Sequence, residues 1–168
     1  MESRAKLFGH AIHPILIVFP LGLLATGVIF DVVYLITGNA SMPTVAYWMI
    51  AAGIIGGALA APPGWIDWFA IPSGTRAKST GLLHGLGNVV VLLLFIGSWW
   101  LRRDAAAAST PYVPSTLALI LSFAGAGLAL LTGWLGGELV ERLGVGVDDG
   151  AHLNAPNSLS GRPASEGR

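Results

Sequence analysis

The chain has 168 residues, 54% of them hydrophobic and 11% charged, with a mean hydropathy of +0.70 and a net charge of zero. Soluble domains carry about 25% charged residues, so the composition points to a membrane domain, and nothing in the charge balance suggests a nucleic-acid partner. No cysteine is present, which excludes disulfides, thiolate zinc sites, cysteine-held iron–sulfur clusters and covalent c-type haem within this chain.

The pattern reads as a membrane domain over residues 1–148 and a polar tail over 149–168. After a polar lead with Arg4 and Lys6, a first span is predicted over 13–36. It opens on Gly9-His10-Ala11-Ile12-His13-Pro14. Its apolar run lacks a small-residue cleavage site, so it reads as a retained span and not as a signal peptide. Pro14 suits a first helical turn, and Pro20 is expected to kink the helix. A second span is predicted over 44–61. Gly53, Gly56 and Gly57 there favour close approach of a neighbouring helix, and Pro62-Pro63 is expected to end it. Gly64-Trp65-Ile66-Asp67-Trp68-Phe69 then reads as an aromatic interfacial segment.

A third span is predicted over 80–101, anchored by Trp99-Trp100-Leu101-Arg102-Arg103. A fourth is predicted over 115–138, its helix running on into water because about 20 residues suffice to cross the hydrocarbon. The tail is rich in Gly, Pro, Ser, Asn and Asp, which predicts disorder. The fold expected is therefore all-α, an integral membrane four-helix bundle.

An internal repeat is visible. His13 opens the first span and His84 the third, 71 residues apart, while Gly64-Trp65 and Gly133-Trp134 follow the second and close the fourth, 69 apart. Two helices per half make the halves parallel, related by an axis along the membrane normal. Arg4, Lys6, Arg76, Lys78 and Arg142 fall on the face bearing both termini, and Arg102 and Arg103 on the other. The excess of basic residues predicts cytoplasmic termini.

Alternation of the helices puts His10, His13, Asp67, His84 and Glu138 at one level of the bundle. Positions 10 and 13 follow helical spacing and should share a face with Asp31. Ionisable groups near hydrocarbon are expensive and suggest function. Three readings compete. In the first, His13 and His84 ligate haem b axially, with Gly81, Gly85 and Gly87 clearing room and Trp65, Trp68 and Trp134 packing on its edges. In the second, His10, His13 and His84 bind a divalent metal with Asp67 or Glu138 as oxygen donor. In the third, the imidazoles only bond a facing carboxylate or a free carbonyl. Asp31 reads as an interfacial cap or a partner in one hydrogen bond, and His152 as a solvated tail residue. No phosphate-binding glycine loop, nucleophile elbow or His-Glu-x-x-His motif is present.

Gly9-His10-Ala11-Ile12-His13-Pro14 with Phe19-Pro20, then Pro63-Gly64-Trp65-Ile66-Asp67, His84, and Gly136-Gly137-Glu138-Leu139-Val140 with Gly144-Val145-Gly146-Val147, resemble the membrane family called domain of unknown function 2231. The resemblance covers about residues 5 to 150. It implies a four-span protein of the bacterial inner membrane. Related chains joined to Rieske or cytochrome c domains imply an electron-transfer setting with a redox protein partner. Relatives often carry His where this chain has Trp134, so a haem here would rest on His10, His13 and His84. The leading expectation is a non-catalytic or partner-dependent redox module in the lipid bilayer, binding haem b or a metal. The rival is a structural membrane anchor or assembly subunit without cofactor, and a metal-dependent membrane enzyme is the third idea. The sequence leaves an oligomer open.

Overall fold

The computed structural model describes residues 1–105 and 109–167. Four helices are long and apolar enough to cross a membrane: Ile12–Thr37, Met42–Ala70, Arg76–Arg103 and Thr116–Arg142. The first is two pieces, α1 (Ile12–Leu16) and α2 (Val18–Thr37), parted at Ile17. The break lies one turn before Pro20, whose missing N–H leaves the Leu16 carbonyl without its helical donor. Gly38 closes α2 in the left-handed conformation, φ 66°, which glycine adopts without a Cβ penalty.

The second span, α3 (Met42–Ala70), contains Pro62 and Pro63 and does not stop at them. This corrects the expected break after residue 61. Each proline removes one backbone donor, but membrane helices tolerate this where neighbouring groups satisfy the freed backbone. The carbonyls left without a helical donor are those of Ala58 and Leu59, four residues before each proline, and an imidazole from α1 bonds the neighbouring carbonyl of Ala60. Trp65, Asp67 and Trp68 therefore ride on the last turns of a 29-residue helix. At about 1.5 Å per residue that helix outruns the hydrocarbon thickness.

α4 (Arg76–Arg103) starts under the Thr75 hydroxyl, which accepts from the Lys78 amide, and α5 (Thr116–Gly137) under the Ser115 hydroxyl, which accepts from Ala118. Such caps satisfy orphan amides of the first turn. α5 continues as a single π-helical turn, Glu138–Arg142. The N-terminal lead forms a small antiparallel hairpin, β1 (Lys6–Leu7) with β2 (His10–Ala11), in register Lys6↔Ala11 and Leu7↔His10. Its two-residue turn has φ of 51° at Phe8 and 84° at Gly9, the signature of a type I′ turn.

The buried core is small: Leu24, Ile50, Val91 and Phe95. Large apolar side chains such as Ile36, Leu83 and Leu130 point outward, as lipid requires. Helices meet through glycines. A Cβ on Gly53 would stand 2.6 Å from Leu24, and one on Gly125 would stand 2.9 Å from Phe95. Small residues are what allow membrane helices to pack this closely.

These two contacts are the same contact made twice. Leu24, Gly27 and Asp31 on α2 stand 71 residues before Phe95, Ser98 and Arg102 on α4, and all six are buried. Ala46, Ile50, Gly53 and Ala60 on α3 stand 72 residues before Ala118, Ser122, Gly125 and Thr132 on α5, and all eight are buried. The chain is thus two repeated helical hairpins. The 72-residue register makes Gly136, not Gly133, the counterpart of Gly64. The expected pairing of Trp65 with Trp134 is therefore corrected.

Both ends of the membrane domain are tied together on one face. The Met1 ammonium donates to the Gly144 carbonyl at 2.8 Å, and the Gly146 amide donates to Met1 at 2.9 Å. Lys6 bridges Glu2 and Asp148, at 2.8 and 2.5 Å. Beyond Asp149 the tail is irregular, with one 3-10 turn at Ser158–Ser160.

Candidate functional site: a histidine pair between the hairpins

His13 sits on α1 and His84 on α4, at equivalent positions of the repeat. Their ring centroids are 6.2 Å apart and their planes are perpendicular, at 88°. Each ring is held by its own hairpin. His13 Nδ1 lies 2.8 Å from the Ala60 carbonyl, and His84 Nδ1 lies 2.8 Å from the Thr132 carbonyl. A carbonyl only accepts, so Nδ1 carries the proton in both rings. In the neutral tautomer this leaves Nε2 with its lone pair. Glycines seat the rings: a Cβ on Gly64 would stand 2.8 Å from His13 Nδ1, and one on Gly136 would stand 3.1 Å from His84 Cε1.

Asn88, one turn beyond His84, places its amide nitrogen 3.2 Å from Nε2 and 3.5 Å from Nδ1. A donor in the ring plane on the Nε2 lone pair would stand about 5 Å from Nδ1, given a normal hydrogen-bond length. The amide donates to the His84 backbone carbonyl at 3.0 Å, one turn back, which carries it past the ring face at near-equal distances from both nitrogens. The lone pair of His84 is therefore not spent on Asn88. The Asn88 side-chain oxygen accepts from the Thr132 hydroxyl at 2.9 Å, which links α4 to α5 beside the ring.

The other residues expected at this level are engaged elsewhere. His10 lies in β2, ahead of the helix, so the helical spacing that put it on one face with His13 does not apply. It is exposed, with Nε2 3.2 Å from the Ser158 hydroxyl. Asp67 accepts from the Ser3 hydroxyl at 2.7 Å and from the amides of Arg4 and Ala5 at 2.6 and 3.2 Å. It anchors the N-terminal lead. Glu138 pairs with Arg76. Among the described residues no group of three or more His, Asp or Glu is arranged to hold a metal ion. The room expected beside Gly81, Gly85 and Gly87 is taken by the protein itself, a correction: a Cβ there would meet Trp68 at 2.8 Å, Trp65 at 3.4 Å and Thr132 at 2.5 Å. Trp134 is 68% exposed on the outside of α5.

The opposite end of the bundle holds a second polar cluster. Asp31 and Arg102 form a two-pronged ion pair, 2.6 Å on each prong, with both side chains fully buried. Ser98 accepts from the Arg102 Nε at 3.3 Å and donates to the Ala118 carbonyl at 2.7 Å. Arg102 is thus not an interfacial anchor, and Asp31 does more than cap a helix. The signal was available in the sequence: 71 residues separate the two, the same distance that separates His13 from His84. Arg103 alone takes the anchoring role, 3.2 Å over the Trp100 ring.

Four apolar spans, lipid-facing outer surfaces and polar groups confined to the bundle interior define an integral membrane protein of two repeated hairpins. The profile of the family described as "Predicted membrane protein (DUF2231)" matches residues 9–149, most of the chain, and the chain belongs to that family. No curated protein and no solved structure matches it.

Proposed function

We propose that His13 and His84 form a two-imidazole site for the iron of haem b, and that the protein is a membrane redox module working with a redox protein partner. One observation carries this reading, the spacing of the two rings. Were both imidazoles to hold one metal ion, bonds of about 2.0 Å would keep their ring centroids within about 6.2 Å of each other. The observed separation is 6.2 Å. Two further features support it. Histidine ligands usually donate their second N–H to a backbone carbonyl or carboxylate, which fixes the tautomer, and both rings do so. A protein-only metal site needs three or four donors, whereas haem iron asks the chain for two. Haem, when bound, supplies a one-electron couple. The chain's own residues fix the two rings, and Ala60, Thr132, Gly64 and Gly136 set their rotation.

The family and the spans support a bacterial inner-membrane setting, and the basic residues support cytoplasmic termini. With Arg102 neutralised inside the bundle, Arg103 is the one arginine of its pair left at the face opposite the termini, which widens the basic asymmetry.

The test is the visible spectrum of detergent-purified protein made with ample haem, oxidised and dithionite-reduced. Sharp b-type bands on reduction are expected, and they should be lost in the double variant His13→Ala/His84→Ala. A colourless protein would overturn the reading. It would leave the histidines as pins between helices and the chain as a structural membrane subunit, a role that the two carbonyl hydrogen bonds also suit.

A further inference from the structure

The repeat brings equivalent residues of the two hairpins face to face. His13 and His84, Leu24 and Phe95, and Asp31 and Arg102 each stand 71 residues apart. The first pair has ring centroids 6.2 Å apart, the second shares the buried core, and the third is joined by two bonds of 2.6 Å. Residues related by a twofold rotation that also meet lie at its axis, so the hairpins associate as the halves of an isologous dimer do. Such a surface is complementary to itself. The hairpins are parallel, so a hairpin from a neighbouring copy enters the bilayer in the same orientation and presents the same face. Histidine faces histidine in every pairing, and leucine and phenylalanine are both apolar. Of the three pairs, only Asp31 and Arg102 tell one hairpin from the other by charge. Two first hairpins would bring Asp31 against Asp31, and two second hairpins Arg102 against Arg102. Ser98 and Ser122, which bond this pair, stand in the second hairpin. Their counterparts in the first are Gly27 and Ile50, which offer no side-chain hydrogen bond. Unpaired charge away from water is expensive, and opposed like charges reject a wrong partner.

We propose that the Asp31–Arg102 pair is a pairing key in the hairpin interface: the partner this surface fits is the unlike hairpin, and like hairpins of neighbouring copies are refused by charge. The role is independent of any cofactor. It differs from that of a stabilising bond, because a key decides which hairpins combine. It also makes the interface transferable. A hairpin of another copy that carries the opposite charge is accepted, and the short connector 71–75 between α3 and α4 is the joint at which chains exchange, as short hinge loops favour.

The test uses full-length chains with two different affinity tags, coexpressed in pairs, solubilised in mild detergent and captured through one tag. Asp31→Arg puts positive charge in both hairpins, and Arg102→Asp puts negative charge in both. Either variant alone is expected to lose most of its folded protein, read by gel filtration. Coexpressed, the two are expected to recover as a stoichiometric complex of both chains, whereas either one coexpressed with a differently tagged copy of itself gives none. The reversed pair, Asp31→Arg/Arg102→Asp, restores both charges within one chain and is expected to match the unsubstituted protein in yield and elution. A bond that only stabilises predicts no recovery on coexpression. Chains that accumulate without forming the mixed complex, equal capture in opposite and like combinations, or a reversed pair as defective as the single variants, overturns the proposal. If the single variants accumulate in no combination, Leu24→Cys decides, in a chain otherwise free of cysteine. Leu24 is buried in the bundle, so two copies link through it only when first hairpins face each other. Oxidation is expected to link copies of the neutral chain Asp31→Leu/Arg102→Met and not copies that keep the ion pair, and equal linkage in the two overturns the proposal.

Discussion

Replacing Asp31 by Asn removes the negative charge from a fully buried ion pair and leaves the shape nearly unchanged. Arg102 then remains inside the bundle with its guanidinium facing two serines and an amide. Both prongs of the pair measure 2.6 Å, and neither side chain is exposed. Removing one partner of such a pair costs about 3–5 kcal/mol, because the surviving charge is buried without compensation. At about 1.4 kcal/mol per decade, the folding equilibrium should fall by about two to three and a half decades. An ordinary interhelical hydrogen bond in a membrane protein is worth only about 0.6 kcal/mol, so the two accounts differ by a measurable margin. Unfolding in mixed micelles of rising SDS content, followed by tryptophan fluorescence, reads the difference. The double variant Asp31→Leu/Arg102→Met removes both charges and should recover most of the loss. A midpoint for Asp31→Asn within the error of the unsubstituted protein would refute the reasoning, and so would a double variant as unstable as the single one.

Other consequences can be checked with less effort. In Gly64→Ala the new methyl would meet His13 Nδ1 at 2.8 Å. The ring should be pushed off the Ala60 carbonyl, at an overpacking cost of about 1–3 kcal/mol, read as a lower melting temperature and a changed His13 resonance. The terminal clamp should depend on pH at both extremes. The Lys6 ammonium lowers the Glu2 carboxyl, first by its hydrogen bond, so that part of the clamp is present above the usual carboxylate range and is lost as acid passes the lowered value. Lys6 is raised, first by its hydrogen bond to Asp148 and then by Glu2. Its part is present below the usual lysine value and is lost as pH rises through the raised one. Amide exchange at residues 1–7 and 144–149 should be slowest between these limits, and a rate profile with no such minimum beyond the intrinsic one would count against the clamp. The chain has no cysteine, so Ser73→Cys and Ser109→Cys can be labelled singly in intact cells with an impermeant maleimide. Labelling at Ser109 alone is expected for cytoplasmic termini, and labelling at Ser73 alone would reverse the orientation. Limited proteolysis should trim the tail after residue 149 before cutting the helical domain, as its few packing contacts require.

What the residues alone determined was the number of spans, their order and the membrane itself, because an apolar run of 20 or more residues with few charges has one stable solution in lipid. The interruption at Ile17, one turn before Pro20, follows from the same local reason, a missing donor. The histidine pair was legible too: two equivalent positions of a repeat, both at the same end of the bundle. Sequence reasoning failed where the outcome depended on a distant group. Pro62-Pro63 reads as a stop, and α3 passes through it beside the imidazole bonded to Ala60. His10 reads as one turn from His13, but the Phe8–Gly9 turn puts it in a strand. Asp31 and Arg102 read as separate interfacial residues, although the repeat register already placed them together. Those facts belong to the tertiary structure. Burying a charge is tolerated only when a partner from another helix arrives at hydrogen-bonding distance. Arg102 is brought to Asp31 by the packing of one hairpin against the other, and the packing of α1 against α3 sets the His13 ring beside the turn that carries the two prolines.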